Sequence, residues 1–423
     1  MLQKLQNNDL ILRDIHQFHT DLNLAGEPPN ALLLLSDELL SYVLSLLREE
    51  RPILPQATVD EWSELLTHLQ CHWIIPLLYW KIGHLPSELR PPEVIYSRMR
   101  EVFLASHACY LRMERQLHKV LDAFSKDKIS VIVYKGPALA WTVYPASAAR
   151  PFGDIDLLVK PEQYLKARGV LLQIGYQSQF NRFETFQELF NSESFVHQKD
   201  VTKSLEVDLH WDIFQYHGLK RDSDIEAFFQ RKIAVETPML TFQTLSRVDA
   251  LIQAAFHLIL HHKDGRRLIW ISDIAFLAQH LVDPDDWVLL QKRVSMFKMH
   301  LAMENALKLA QIWNGLSVPE KYRDFTKWLS SEEEEKAEII YAMNKQGPDI
   351  RLKGYLATIR SVPKKIPYLL KFFFPDPHFI RMNYPPSRNW LLPFSYVRRS
   401  WHWIVKFLYY LFHRLCQWHR SVR

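Results

Sequence analysis

Ile129-Ser130-Val131-Ile132-Val133-Tyr134-Lys135-Gly136-Pro137 and, a short way downstream, Arg150-Pro151-Phe152-Gly153-Asp154-Ile155-Asp156-Leu157-Leu158-Val159 decide how this chain reads. The first stretch is a short β-branched run stopped by Lys-Gly-Pro, the pattern of a buried strand closed by a tight turn. Pro137 suits the first position of a helix, and Ala138 to Tyr144 supply two turns. The second stretch is another strand, stopped by Lys160-Pro161, and Glu162 to Leu172 then reads as a helix closed near Gly175. Farther on, Leu205, Val207, Leu209 and Trp211 alternate with Glu206, Asp208 and His210, which describes a strand with one polar face. Strand, helix, strand, helix, strand makes a small α/β or α+β unit over residues 126–235.

On either side the pattern is helical. Ser36 precedes Asp37 and Glu38, an N-cap followed by first-turn acids, and Leu39, Leu40, Val43, Leu44 and Leu47 follow at helical spacing. Glu61 to Leu69 and Glu101 to Phe124 are further amphipathic segments. Helical periodicity returns over Leu245 to Leu260 and Ile269 to Leu281, and Glu332-Glu333-Glu334-Glu335 reads as a solvated helix start. The expected fold is α+β, a small mixed-sheet domain flanked by helical regions. Its expected divisions are 1–125, 126–235, 236–345 and an aromatic, basic C-terminal region, 346–423.

Composition narrows the function classes. At 423 residues the chain suits two or three packed units. Its 48% hydrophobic and 23% charged residues are those of a folded globular protein. Only 11 glycines stand against 23 prolines, and no GxGxxG occurs, which argues against a dinucleotide-binding loop. Cys71, Cys109 and Cys416 form no CxxC, so neither a disulfide framework nor a cysteine zinc site is expected, and a reducing compartment is. Lys4, Asp9, Arg13 and Asp14 interrupt the N-terminal segment, against a signal peptide, and no apolar run reaches the roughly 18–20 residues of a spanning helix. A cytoplasmic protein is the expectation. The net charge of +5 is mild but uneven, because no acid follows Asp376 whereas Arg381, Arg388, Arg398, Arg399, Lys406, Arg414, Arg420 and Arg423 do.

Asp154 and Asp156, two apart in a strand, point to one face, and Asp208 sits on another strand between apolar neighbours. Should those strands be adjacent, three carboxylates converge, and either a pKa rises or a cation binds. Oxygen donors with room for phosphate oxygens suit Mg²⁺, and two such ions would activate an acceptor and neutralise departing pyrophosphate. Gly136, between strand and helix, lets a phosphate approach backbone N–H groups. Lys135 adds positive charge, and Arg150 stands just ahead of the Asp pair.

Tyr134-Lys135-Gly136, Arg150 through Val159, and Val207-Asp208-Leu209-His210-Trp211 together resemble the DNA polymerase β-type nucleotidyltransferase superfamily. The Lys-Gly start and the Asp-Leu-His-Trp sequence make the chain similar to a bacterial branch described as uncharacterised nucleotidyltransferase. The resemblance implies that Asp154 and Asp156 hold two metal ions, with Asp208 completing the acceptor-side ion. It also implies transfer of a nucleoside monophosphate from an NTP, expected to be ATP, to an acceptor, with release of pyrophosphate. Mg²⁺ is the implied ion and Mn²⁺ the substitute. Where the superfamily has a Gly-Ser turn this chain has Gly136-Pro137, so a hydroxyl and an N–H are missing. That departure motivates a rival reading, an inactive binding module with the same fold that docks through its tail.

Several residues carry two readings. His210 touches nucleotide or phosphate, or it orients Asp208. Arg150 binds phosphate or pairs with the Asp cluster. Glu206 reads as a surface acid rather than a ligand. His257 and His261 have a metal-compatible spacing, yet their apolar neighbours favour a packed helix end, and Arg267 and Asp273 border the nucleotide site. The aromatic tail from Trp390 to Arg423 packs on the protein's own core, lies on an anionic membrane surface at the inner face, or contacts nucleic acid, in that order of preference. The acceptor is a small molecule, a protein or an RNA.

Overall fold

The computed structural model describes residues 36–178, 191–197, 206–214, 225–261 and 267–324, together with 374, 377, 380 and 389–401. The acidic run Glu332–Glu335 and the tail beyond Trp401 lie outside the described residues.

Four helices come first: α1 (Asp37–Leu47), α2 (Val59–Cys71), α3 (Ile75–Gly83) and α4 (Glu93–Lys126). Ser36 caps α1, its Oγ accepting from the Leu39 N–H at 3.4 Å. Thr58 and Glu61 form a reciprocal capping box on α2. The third amphipathic segment is one 34-residue helix that begins at Glu93, ahead of the expected start, because Pro92 seats its first turn.

β1 (Val131–Tyr134) leads through the turn at Lys135 into α5 (Gly136–Thr142). There follow β2 (Asp154–Val159), α6 (Tyr164–Gln173), β3 (Tyr176–Ser178), β4 (Ser192–His197) and β5 (Glu206–His210). The sheet order is β1-β2-β5-β4-β3. β2 runs parallel to β5 and antiparallel to β1, so the sheet is mixed. The strands β3 and β4 were not expected from the sequence. They extend the sheet beyond β5, with Ser194 of β4 opposite Asp208.

Next come α7 (Ile225–Gln230) and a hairpin, β6 (Ile233–Glu236) with β7 (Thr241–Thr244). The hairpin spans the division expected at 235/236. The helices α8 (Arg247–Phe256), α9 (Leu268–Gln279), α10 (Pro284–Met296) and α11 (His300–Asn314) complete the described bundle, with a π-turn at His257–His261. Among the described residues no helix is long and apolar enough to cross a membrane.

The two faces of the sheet have separate cores. Val133, Ile155, Leu157, Val207, Leu209 and Phe195 pack against Tyr110, Leu117, Val120 and Phe124 of α4 and Tyr164, Val170 and Leu171 of α6. The other face contributes Ile132, Tyr134 and Leu158 to a larger core that joins the N-terminal helices to α8–α11. The strands β1, β2 and β5 are therefore apolar on their first face, whereas β4 places the buried Glu193 there opposite Leu209. On its second face β2 changes from Asp154 and Asp156 to Leu158, which puts its polar residues at one end. That end is where the site lies.

Candidate active site

Strand register brings the acids together. Asp156 of β2 is the parallel partner of Asp208 on β5 and the antiparallel partner of Tyr134 on β1. One row across the sheet therefore reads Tyr134, Asp156, Asp208, Ser194, all on the same face. Asp154 stands one pleat away opposite Glu206, and His210 one pleat the other way opposite Leu158. Asp156 and His210 are buried, whereas Asp154, Glu206 and Asp208 are partly exposed.

Two cationic or polar groups already serve Asp156. Lys135 Nζ lies 2.5 Å from its Oδ1, and His210 Nε2 lies 2.9 Å from the same oxygen. Burial opposes the Lys135 charge, but Asp156, Asp154 and Asp208 outweigh it and raise the ammonium's pKa. Burial also opposes ionisation of Asp156, and there Lys135 and His210 win, so its carboxyl is held below the ordinary range. His210 is pushed down, first by burial and then by Lys135, and is neutral. Its Nε2–H donates to Asp156. Asp154 has less relief, because Lys135 and Arg150 act on it without contact. Loss of solvent and the neighbouring Asp156 charge raise its carboxyl to about 7.

Three polar atoms in this cluster are buried without a hydrogen-bond partner: Asp156 Oδ2, Asp208 Oδ1 and His210 Nδ1. Orphaned buried acceptors are costly unless something fills them. One ligand atom each from Asp156, Asp208 and His210 lies within 4.8 Å of the others, close enough to share one metal ion. Among the described residues these orphaned acceptors and their convergence fit a cation. The sequence reading named Asp154 in this set and gave His210 either to nucleotide or phosphate or to the orientation of Asp208, whereas its contact is with Asp156. The geometry groups His210 with Asp156 and Asp208, and leaves Asp154 at the more exposed edge of the same face.

The Lys135-Gly136-Pro137 turn, expected to meet phosphate, differs from a glycine turn open to a ligand. A Cβ on Gly136 would meet Phe152 Cβ at 2.5 Å, so the glycine is required by the close approach of the Arg150-to-Gly153 loop. Lys135 occupies φ 57°, ψ −137°, a conformation few residues but glycine adopt. Arg150 does not pair with the Asp cluster: its Nε and Nη2 each lie 2.7 Å from an oxygen of Asp273 on α9, and Nη1 donates to the Pro151 carbonyl. Tyr144 Oη donates to the same Asp273 carboxylate at 2.7 Å. Asp273 is thus the counter-charge of Arg150, held inside the bundle.

His257 and His261 stack at 5.6 Å between ring centroids, with Trp270 edge-on to His257. Neither belongs to a convergent metal-ligand group among the described residues. Sequence reasoning missed Tyr134, whose buried Oη has no partner and whose ring lies 5.2 Å from that of His210. The alternation Ile132, Tyr134 on β1 was the available signal.

A family model described as uncharacterised nucleotidyltransferase matches residues 58–315. No match is found among curated proteins. The matched segment is more than half of the 423 residues and includes every residue of the site, and the chain belongs to this nucleotidyltransferase family.

Proposed function

We propose that the chain moves a nucleoside monophosphate from an NTP, ATP foremost, onto an acceptor, in a reaction dependent on Mg²⁺ or Mn²⁺. The observation that carries this reading is the Asp156–Asp208 row with its orphaned buried oxygens, Asp156 Oδ2 and Asp208 Oδ1. Asp156, Asp208 and His210 hold one cation, and Asp154 at the exposed edge helps hold a second. A bound divalent ion there supplies charge neutralisation for the triphosphate and acidifies the acceptor group. The residues do the positioning. Neutral His210 fixes the Asp156 carboxylate, and Lys135 becomes available to phosphate oxygens once a cation takes over Asp156. The acceptor is a small molecule, a protein side chain or an RNA. The tail, through Trp390, Phe394 and Trp401, all exposed, offers contact with an anionic membrane surface.

The test is the Asp156→Ala variant, assayed for release of pyrophosphate from labelled NTPs with a cell extract as acceptor source. Transfer is lost and the folded structure, followed by circular dichroism, is kept. Transfer at the wild-type rate would refute the assignment.

A second reading, a binding module of the same fold without catalysis, is favoured by one observation: Phe152 fills the space beside Gly136, and Pro137 brings no N–H. Melting in the presence of ATP, GTP, CTP and UTP, with and without Mg²⁺, separates the two. Metal-dependent stabilisation by a nucleotide supports the enzyme, and no response to any supports the module.

A further inference from the structure

Arg267 opens α9 beside the carboxylate site, in a setting unlike that of Arg150. Its Cζ lies 4.2 Å from the ring centroid of Trp73 and 4.9 Å from that of Trp270. The guanidinium therefore lies against two indoles. The clamp is fixed from both sides. The Leu268 N–H donates to His72 Nδ1 and the Ile269 N–H to the His72 carbonyl, both at 3.3 Å, which ties the start of α9 to the turn bearing Trp73. Trp73 itself has φ 56°, a conformation a bulky residue holds only when its surroundings impose it. Its outer ring edge comes within 3.4 Å of the position a Cβ on Gly153 would take, and Gly153 immediately precedes Asp154.

Where Arg150 has both oxygens of Asp273, Arg267 makes no hydrogen bond or close ion pair among the described residues, and Asp154 acts on it only through space. It is also only half-exposed, and the Arg150 charge is close enough to act on it, second only to loss of solvent. A partly desolvated guanidinium that lies against aromatic rings, and whose N–H edges have no partner among the described residues, is suited to a planar, bidentate contact with a doubly charged anion.

We propose that Arg267, held by Trp73 and Trp270, is the binding site for the terminal phosphates of the nucleotide substrate. This rests on the nucleotidyltransferase reading and supplies what the Gly136-Pro137 turn withholds: donors for the outer phosphates, provided by a side chain from the helical bundle.

The experiment is isothermal titration of the full chain with inorganic tripolyphosphate, ATP and AMP in Mg²⁺, for wild type, Arg267→Ala and Arg267→Lys. Wild type binds tripolyphosphate and ATP. The Ala variant binds both about tenfold or more weakly, as loss of charged hydrogen bonds implies. The Lys variant is intermediate, and AMP affinity is the same in all three. Thermal stabilisation by Mg²⁺ alone is unchanged by either substitution. Equal tripolyphosphate affinity in wild type and Arg267→Ala overturns the proposal, as does an equal loss for AMP. If Arg267→Ala melts early, Arg267→Gln, which keeps the stem and the stacking plane, decides by the same criteria. The underlying reading fails differently: Arg267-dependent tripolyphosphate binding together with transfer that survives Asp156→Ala would leave the anion site standing and remove the catalytic assignment.

Discussion

Replacing Arg150 with methionine removes a charge and keeps a side chain of similar length. Arg150 and Asp273 are both buried, with two contacts of 2.7 Å between them. Burial works against the guanidinium charge, and Asp273 more than compensates, raising its pKa further. Arg150→Met leaves the Asp273 carboxylate inside the bundle with Tyr144 Oη as its one remaining donor among the described residues. Removing one member of such a pair costs about 3–5 kcal/mol, most of it the uncompensated buried charge. Asp273→Asn falls in the same range, because it strands the arginine. Arg150→Met with Asp273→Leu removes both charges and is expected to lose much less than the two single losses combined. The assay is urea denaturation followed by tryptophan emission, comparing midpoints and slopes among the variants. A loss under about 1 kcal/mol for Arg150→Met, or full additivity in the double variant, would refute the argument. It would return Arg150 to the phosphate role.

Two further outcomes follow from the site. Asp154 has a folded pKa of about 7 against an ordinary 3.8, so the metal-free folded state binds its proton more tightly than the unfolded chain. That group's contribution is greatest below pH 3.8 and declines as pH rises towards 7. A cation must displace that proton, so the melting shift produced by Mg²⁺ is larger at pH 8 than at pH 6; a larger shift at pH 6 contradicts the assignment of Asp154 to the metal. Gly136→Ala places a Cβ 2.5 Å from Phe152 Cβ and destabilises by about 1–3 kcal/mol, read as a lowered melting temperature. Phe152→Ala does not rescue it, because the clashing atom remains, whereas Phe152→Gly does in part; a Gly136→Ala protein that melts with wild type disproves the close approach.

The strands that carry the acids were legible because their chemistry is local. β1 is a β-branched run, and β5 alternates polar and apolar residues, so Asp208 and His210 fell on one face before any neighbour was known. β4 hid its nature. Its buried residues include Ser192, Glu193 and Ser194, and Glu193 is kept inside by Tyr164, Ser178 and Arg168. A strand satisfied by side chains from α6 and β3 has no hydropathy signal of its own. β3 is three residues long and leaves little pattern to read. The pairing of Arg150 with Asp273 joins positions 123 apart, and no spacing rule reaches that far. A still longer separation in sequence concealed the Trp73–Arg267 contact, although Arg267 itself was placed at the border of the site.

The Gly136-Pro137 departure reads differently once these contacts are considered together. In a turn that binds phosphate through its backbone, the glycine leaves room for the anion and successive N–H groups meet it. Here Phe152 takes the room and Pro137 lacks the N–H, so backbone binding at this turn is poor. The same turn instead holds Lys135 in a conformation costing about 1–3 kcal/mol in isolation. That strained residue has its ammonium on Asp156 Oδ1, beside the orphaned oxygens. In the chain alone Lys135 is the cluster's counter-charge, and any cation entering has to compete with it for Asp156. A divalent ion in the cluster would weaken the hold on Lys135, by like-charge repulsion as well as by loss of its partner. On the proposed function, phosphate recognition would pass from the backbone of this turn to side chains, Lys135 beside the carboxylates and Arg267 at the start of α9. A cation held by Asp156 would thus free Lys135 as it bound, and the lysine's availability to phosphate would depend on that ion.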